Sequence, residues 1–136
     1  MATYTEHYGL HQWESTDDFL RTDFNTDFQK IDGAIGGLLV FGSYTGDGAA
    51  SREIGLGFTP RAVLVASGEG RMGGSGGEHP MIYGGLALPG APVGTSSTRV
   101  ALEVTEGGFR VYEYGVDFDY IRINREGMSY YYMAVR

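Results

Sequence analysis

The sequence predicts a mainly β protein: an antiparallel β-sandwich knob over 38–136, preceded over 1–37 by an extended segment and one short α-helix that forms a coiled-coil seam. Three observations predict it. Beyond residue 38, short apolar or alternating runs are separated by turn signals, the pattern of a sandwich. The 136 residues include 23 glycines, well above the usual ~7%, and 10 tyrosines, which suit turns and strand faces. Before residue 38, Phe24, Phe28, Ile31, Ile35 and Leu38 are spaced four, three, four and three apart, a heptad seam.

The opening MATYTEHYGLHQWES carries Tyr4, Tyr8, Leu10 and Trp13 without a helical period, and Gly9 interrupts it. It reads as an extended segment that lays its aromatics on a neighbour. His7 and His11 are four apart, a spacing that ligates metal on a helix. Gly9 speaks against a helix and no third ligand is evident, so they read as two exposed histidines. Residues 16–21 add an earlier helical turn capped by Ser15 or Thr16. The main helix then starts at Thr22 as N-cap, with Asp23 in the first turn, and stops at Gly36 and Gly37. At about 13 to 15 residues, roughly 20 Å, it is too short to stand alone in water. Its stripe must be buried, either on the β-rich body or against copies of itself. The stripe is narrow, and Asn25, Thr26, Asp27, Gln29, Lys30 and Asp32 fill the other faces, which favours copies.

Strands follow. Residues 38–44 form the first, reversed at Asp47-Gly48. Residues 52–56 form the second. RAVLVAS at 61–67 is an apolar core strand launched by Pro60. Residues 68–80 read as a glycine loop, 81–88 as a fourth strand and PGAPVGTSS as a connector. RVALEVT at 99–105 alternates cleanly and meets FRVYEY at 109–114 across Glu106-Gly107-Gly108, the strongest hairpin signal in the chain. Residues 120–124 alternate again, and MSYYYMAV at 128–135 closes the domain.

The net charge of −7 argues against a nucleic-acid partner, because phosphate binding needs a basic face. With no cysteine there is no disulfide framework and no thiolate metal site. Neither a metal nor a cofactor is expected. MATYTEHYGL lacks a basic n-region and an apolar h-region, so no signal peptide is read. The longest apolar-plus-glycine run, 34–42, is far short of a membrane span, so no membrane insertion is expected and the chain reads as a soluble product of a cytoplasm.

Two motif matches fail on context. Gly68 to Gly73 fits GxGxxG after a strand, but the dinucleotide site needs a helix next, and GSGGEHP cannot start one. Gly73-Gly74-Ser75-Gly76-Gly77 fits GxSxG, yet the acid and histidine of a hydrolase do not follow in order. Asp117-Phe118-Asp119 offers two carboxylates to a cation but reads better as a solvated strand end. No acid pair is nominated for glycosidase chemistry, so a binding or structural module is expected rather than an enzyme. The loops and strand ends collect Glu69, Arg71, Glu78, His79, Tyr83, Tyr114, Asp117, Asp119 and Tyr120. That mixture suits a saccharide: aromatic faces cover the apolar side of a sugar and charged groups bond its hydroxyls.

These residues also carry a resemblance. YGLHQWESTDDFLRTDFNTDFQKIDGAI resembles the adaptor segment that opens tail-fibre and receptor-binding proteins of phages infecting Gram-positive bacteria. There, an extended stretch with a tryptophan precedes a DFN-x-DF-x-KID-type helix. GSYTGDGAASREIGLGFTPRAVLV and SYYYMAVR resemble the β-sandwich knobs of the same proteins. The knob is also similar to the H-type lectin fold, a six-stranded antiparallel sandwich that trimerises, through Gly57-Phe58-Thr59-Pro60-Arg61-Ala62-Val63-Leu64-Val65. The resemblance implies a homotrimeric phage tail fibre or tip protein in the virion. It would attach to other tail proteins through its N-terminal segment and present a lectin-like knob to host surface saccharide. In the trimer, Phe24, Phe28, Ile31, Ile35 and Leu38 would join the chains. The alternative is a purely structural tail-tip or fibre-cap protein that contacts other virion proteins.

Overall fold

The computed structural model describes residues 1–76, 79–95, 99–116 and 119–136. The chain forms two compact units, Met1–Leu38 and Leu39–Arg136.

In the first unit, β1 (Thr3–Tyr4) and β2 (His11–Gln12) pair antiparallel, and α1 (Arg21–Gly36) follows. The extended segment is thus a small hairpin, turned at Gly9 with φ +60°. The early helical turn at 16–21 does not form. The helix begins beyond Leu20, which caps it without a side-chain hydrogen bond. Thr22 is therefore not the N-cap but a first-turn residue, whose carbonyl accepts from Thr26 Oγ1 at 2.8 Å. Asp23 does sit in the first turn. Gly36 is the last helical residue, and Gly37 closes the end at φ −101° with its N–H on the Gly33 carbonyl. The stop thus uses ordinary backbone angles rather than the left-handed region.

The most buried residue of α1 is a charge, not a member of the stripe. Asp27 is 7% exposed, whereas Phe24, Phe28, Ile35 and Leu38 are 41, 54, 69 and 43% exposed. Asp27 accepts from the His11 backbone N–H at 2.7 Å and faces His11 Nδ1 at 2.9 Å. Lys30 Nζ donates to the Gly9 carbonyl and lies 3.6 Å from Asp27. Polar bonds thus help dock the hairpin on the helix, beside the apolar contacts of Phe24, Phe28 and Ile31. This corrects two expectations: Asp27 does not face solvent, and His11 is not exposed. Tyr4, His11, Trp13, Phe19, Phe24 and Phe28 make successive ring contacts, with centroids 4.5 to 5.6 Å apart. Ile31 is half-buried and lines a cavity of about 180 Å³ with Leu10, Trp13 and Phe28.

The second unit begins with β3 (Leu39–Thr45), β4 (Ser51–Gly55), β5 (Ala62–Ser67) and β6 (Gly73–Gly76). β7 (His79–Ile82), β8 (Gly85–Ala87), β9 (Val93–Gly94) and β10 (Val100–Thr105) follow. β11 (Gly108–Val116), β12 (Asp119–Arg122) and β13 (Ser129–Val135) complete it. They build a four-stranded sheet, β3-β13-β5-β8, and a seven-stranded sheet, β6-β7-β12-β11-β10-β9, with β4 also on β11. The nine-residue β11 pairs with β10 along one edge. Along the other it pairs first with β4, through Tyr112, and then with β12, from Glu113.

The expected hairpin forms, with Thr105 opposite Gly108 and Gly107 at φ +84° in the turn. Four expectations change. β3 and β4 lie in different sheets, so Asp47-Gly48 does not close a hairpin. The glycine loop holds β6 and the start of β7, which pair antiparallel. The single strand expected at 81–88 divides into β7 and β8, one in each sheet. The arrangement is not purely antiparallel, because β12 and β7 run parallel, with Tyr120 opposite Met81.

One apolar core unites the two sheets. Val63, Val65, Tyr130 and Ala134 come from the smaller, and Leu102, Phe109 and Val111 from the larger; all are fully buried. The Phe109 ring meets Tyr132 edge-on at 5.1 Å and lies 6.3 Å from Tyr44. The architecture is sandwich-like. Tyr44 and Tyr130 stack at 4.9 Å, and their hydroxyls donate to the Ile123 and Arg122 carbonyls at 2.6 and 2.5 Å. These bonds tie the smaller sheet to the end of β12, where the candidate site lies.

Candidate functional site

The site forms where β11 leaves β4 and takes β12 as its neighbour. Glu113 and Arg122 are direct cross-strand partners, so their side chains share a face. Arg122 Nη1 donates to Glu113 Oε1 at 2.7 Å and to the Tyr114 carbonyl at 3.0 Å. Both side chains are largely buried, 16 and 17% exposed. Gly115 makes room for this: a Cβ there would lie 2.5 Å from Arg122 Nη2. The guanidinium also lies 5.2 Å from the Tyr120 ring centre, within cation–π range. Tyr120 in turn stacks on His79 at 5.7 Å, a contact made possible by the parallel pairing of β7 with β12.

Burial pushes the Glu113 carboxyl above its ordinary value, although Arg122 pulls it down. Glu113 Oε2 and Arg122 Nε are both buried and find no hydrogen-bond partner among the described residues. Buried polar atoms are nearly always paired, so these two are exceptions, and both are closed to solvent within the ion pair. Glu113 also borders an open cleft of about 430 Å³, lined with Arg99, Tyr112, Tyr114 and Ile121. Arg99 lies over the Tyr114 ring at 3.7 Å. The Tyr112 hydroxyl donates to Glu103 Oε1 at 2.5 Å; burial and this carboxylate push its phenol up, so it stays a donor at neutral pH. By strand alternation Glu113, Arg122 and Tyr120 share one face of the sheet, whereas Tyr114, with Arg99 over its ring, belongs to the other.

Of the residues nominated from sequence, His79 and Tyr120 meet in this site and Tyr114 lines the cleft on the other face. Tyr83 lies between β7 and β8, with its ring over Gly74 and its hydroxyl on Met81 Sδ at 3.0 Å. Glu69 and Arg71 occupy the exposed turn after β5, where they pair with each other at 3.7 Å. Glu78 and Asp117 lie outside the described residues, and Asp119 is described only by its backbone pairing with Val116.

Sequence reasoning missed Glu113, Arg122 and Arg99. Glu113 left a signal: it continues the parity of Phe109 and Val111, both buried. Arg122 left a misleading one, because in YIRIN the apolar parity belongs to Ile121 and Ile123, which makes the arginine between them look solvated. Compared with family models, with curated proteins and with solved structures, the chain matches none.

Proposed function

We propose that the chain is a homotrimeric receptor-binding protein of a phage tail fibre or tip, whose sandwich knob recognises host surface saccharide without catalysis. The observation that supports the binding function is the Tyr120–His79 stack beside the Glu113–Arg122 pair, aromatic faces next to charged groups on one face of the sheet. Sugars are bound by this combination of bidentate polar groups and aromatic faces. Assembly is supported by α1, where four of the five seam residues are more than 40% exposed on one chain. A coiled coil of three copies would bury them. The adaptor resemblance of the N-terminal segment supplies the tail context.

Two measurements test this reading. Light scattering should give about three times the 14.7 kDa chain mass, and Phe28→Asp with Ile31→Asp should abolish that assembly. Cell-wall or capsular saccharide from host strains should bind the trimer, with affinity at least about tenfold weaker in Tyr120→Ala, the scale of a lost aromatic contact. An intact trimer that binds no host glycan, yet co-purifies with a baseplate component, would replace receptor binding by the structural alternative.

A further inference from the structure

We propose that the cleft beside β11 is a second ligand site, which takes a sugar unit carrying a carboxylate. The inference rests on the saccharide reading above. It names a ligand class for a face of the sheet that the Tyr120–His79 stack does not use.

Strand register separates the two faces. Tyr112 and Tyr114 lie two apart on β11, so their rings share a face. Tyr114 stands opposite Ile121, whereas Glu113, between the tyrosines, stands opposite Arg122 and bonds to it on the other side. The cleft of about 430 Å³ lies along the tyrosine face, with Val100, Ile121 and Arg99 also in its lining. Clefts that hold small ligands measure about 300–1,000 Å³, so there is room for one sugar unit. The tyrosine rings and the two aliphatic side chains suit the C–H side of a pyranose.

The polar groups of the cleft are held in place. The Arg99 carbonyl accepts from the Thr95 N–H at 2.9 Å, and the Arg99 N–H reaches Thr95 Oγ1 at 3.4 Å. Gly94 lets the chain pass this close, because a Cβ there would lie 2.9 Å from the Arg99 carbonyl oxygen. The Tyr112 ring is fixed by its hydroxyl on Glu103 Oε1. A site fixed before the ligand arrives loses less freedom on binding.

Arg99 decides the ligand class. It is the one cation among the described residues that line the cleft. Its guanidinium carbon lies 3.7 Å from the Tyr114 ring centre. Contact with a ring engages the flat side of a guanidinium, and the N–H fork lies in the guanidinium's own plane, where it matches the two oxygens of a carboxylate. Five donors allow an arginine to serve a ligand beside a protein partner. A carboxylate is itself flat, so in that plane it stays against the tyrosine wall, whereas a tetrahedral phosphate projects oxygens away from it. An occupant that covers Arg99 strips water from a charge, a cost that an acidic group offsets and a neutral sugar does not. The net charge of −7 opposes an acid from afar, but charges more than about 8 Å away are screened at physiological ionic strength. Glu103, the acid bonded to Tyr112, is answered by Arg110 Nη1 at 3.8 Å.

Methyl glucuronide and methyl glucoside, twins that differ in the carboxylate, test the proposal by NMR titration of the whole chain. The Tyr112 and Tyr114 ring signals should move, and the glucuronide should bind at least about tenfold more tightly, the scale of a charge-assisted hydrogen bond. Arg99→Gln should bring the glucuronide down to the glucoside's affinity, and Arg99→Lys should keep part of the preference. Arg61→Gln removes the same charge from an exposed position elsewhere and should leave the preference intact. Circular dichroism checks that each variant is folded. Equal affinity for the twins, a preference that survives Arg99→Gln or is lost equally in Arg61→Gln, or no movement of the two tyrosine signals overturns the inference. Tighter binding of glucose 6-phosphate than of the glucuronide would assign the cleft to phosphate and overturn it too. Host saccharide that binds through Tyr120, with no preference between the twins, overturns this inference alone. Glucuronide binding at the cleft without binding of any host saccharide supports the site and overturns the receptor reading alone.

Discussion

Replacing Arg122 by methionine keeps the apolar stem and removes the guanidinium. The hydrogen bonds from Nη1 to Glu113 Oε1 at 2.7 Å and to the Tyr114 carbonyl at 3.0 Å both disappear. A carboxylate only 17% exposed is then left without its counter-charge. Stranding a fully buried charge costs about 3–5 kcal/mol, whereas an exposed pair contributes about 0–1. With roughly one sixth of each side chain in solvent, the expected loss at pH 7 is about 2–3 kcal/mol. For a unit of about 100 residues that lowers Tm by roughly 10–20 °C. The loss should depend on pH. Burial already holds the Glu113 pKa above its ordinary 4.5, against the pull of Arg122. An acid with a raised folded pKa binds more protons in the folded state, so stability falls as pH climbs from the ordinary value through the raised one. Without Arg122 the pKa rises further and the window widens. The variant should therefore be close to wild type near pH 4 and show its full deficit near pH 7. Adding Glu113→Gln, which removes the stranded charge, should recover most of the loss at neutral pH. Urea denaturation followed by circular dichroism, at fixed protein concentration and both pH values, measures all three proteins. An equal deficit at the two pH values, or no recovery in the double variant, would refute the stranded-charge account.

Three other outcomes are expected. Gly84→Ala would put a Cβ 2.0 Å from the Val65 carbonyl oxygen, a backbone atom with little room to move, and should cost at least about 2 kcal/mol by thermal unfolding. A Tm within two degrees of wild type, about 0.3–0.5 kcal/mol for a domain this size, would show that the strand shifts freely. Tyr44→Phe removes the 2.6 Å bond to the Ile123 carbonyl in a buried setting and should cost about 1–2 kcal/mol in urea. In the first unit, burial raises the Asp27 carboxyl, but its two hydrogen bonds from His11 outweigh that and hold it below its ordinary 3.8. A depressed acid stabilises the folded state above its unfolded pKa, and the contribution is lost as pH falls through the folded value. Emission from Trp13, the lone tryptophan, which stacks on His11 at 5.4 Å, should shift red only below about pH 4. In Asp27→Ala it should already be shifted at pH 7. Constant emission down to about pH 2 would contradict the proposed anchor.

Elements written in side-chain alternation were legible. RVALEVT and FRVYEY place one face inward every second residue, and they pair as expected, Leu102 against Val111. RAVLVAS and the closing tyrosine-rich run lie at the heart of the smaller sheet for the same reason. The 73–76 strand was not legible, because GGSG carries almost no side chains whose alternation could announce it. Its order comes from backbone pairing with β7. The division of 81–88 was hidden too. It occurs next to Gly84, which passes so close to Val65 that a side chain would collide, and that proximity exists only in three dimensions. In the site, Tyr120 and His79 could be nominated singly, but their meeting depends on a parallel pairing between strands some forty residues apart.

The sequence by itself determined α1 with its heptad of apolar residues and the strands that announce themselves by alternation, β5, β10, β11 and β13. Those properties are local, set by side chains within a few residues of one another. Tertiary structure alone decided that Asp27 rather than the heptad is the buried side of the helix, and that Glu113 and Arg122 form a largely buried ion pair. It also decided that Phe41, Met133, Leu64 and Leu86 stand in one uncharged row. Each of these depends on which distant strand or hairpin becomes the neighbour, and the energy of a charge or an apolar face is set by that neighbour.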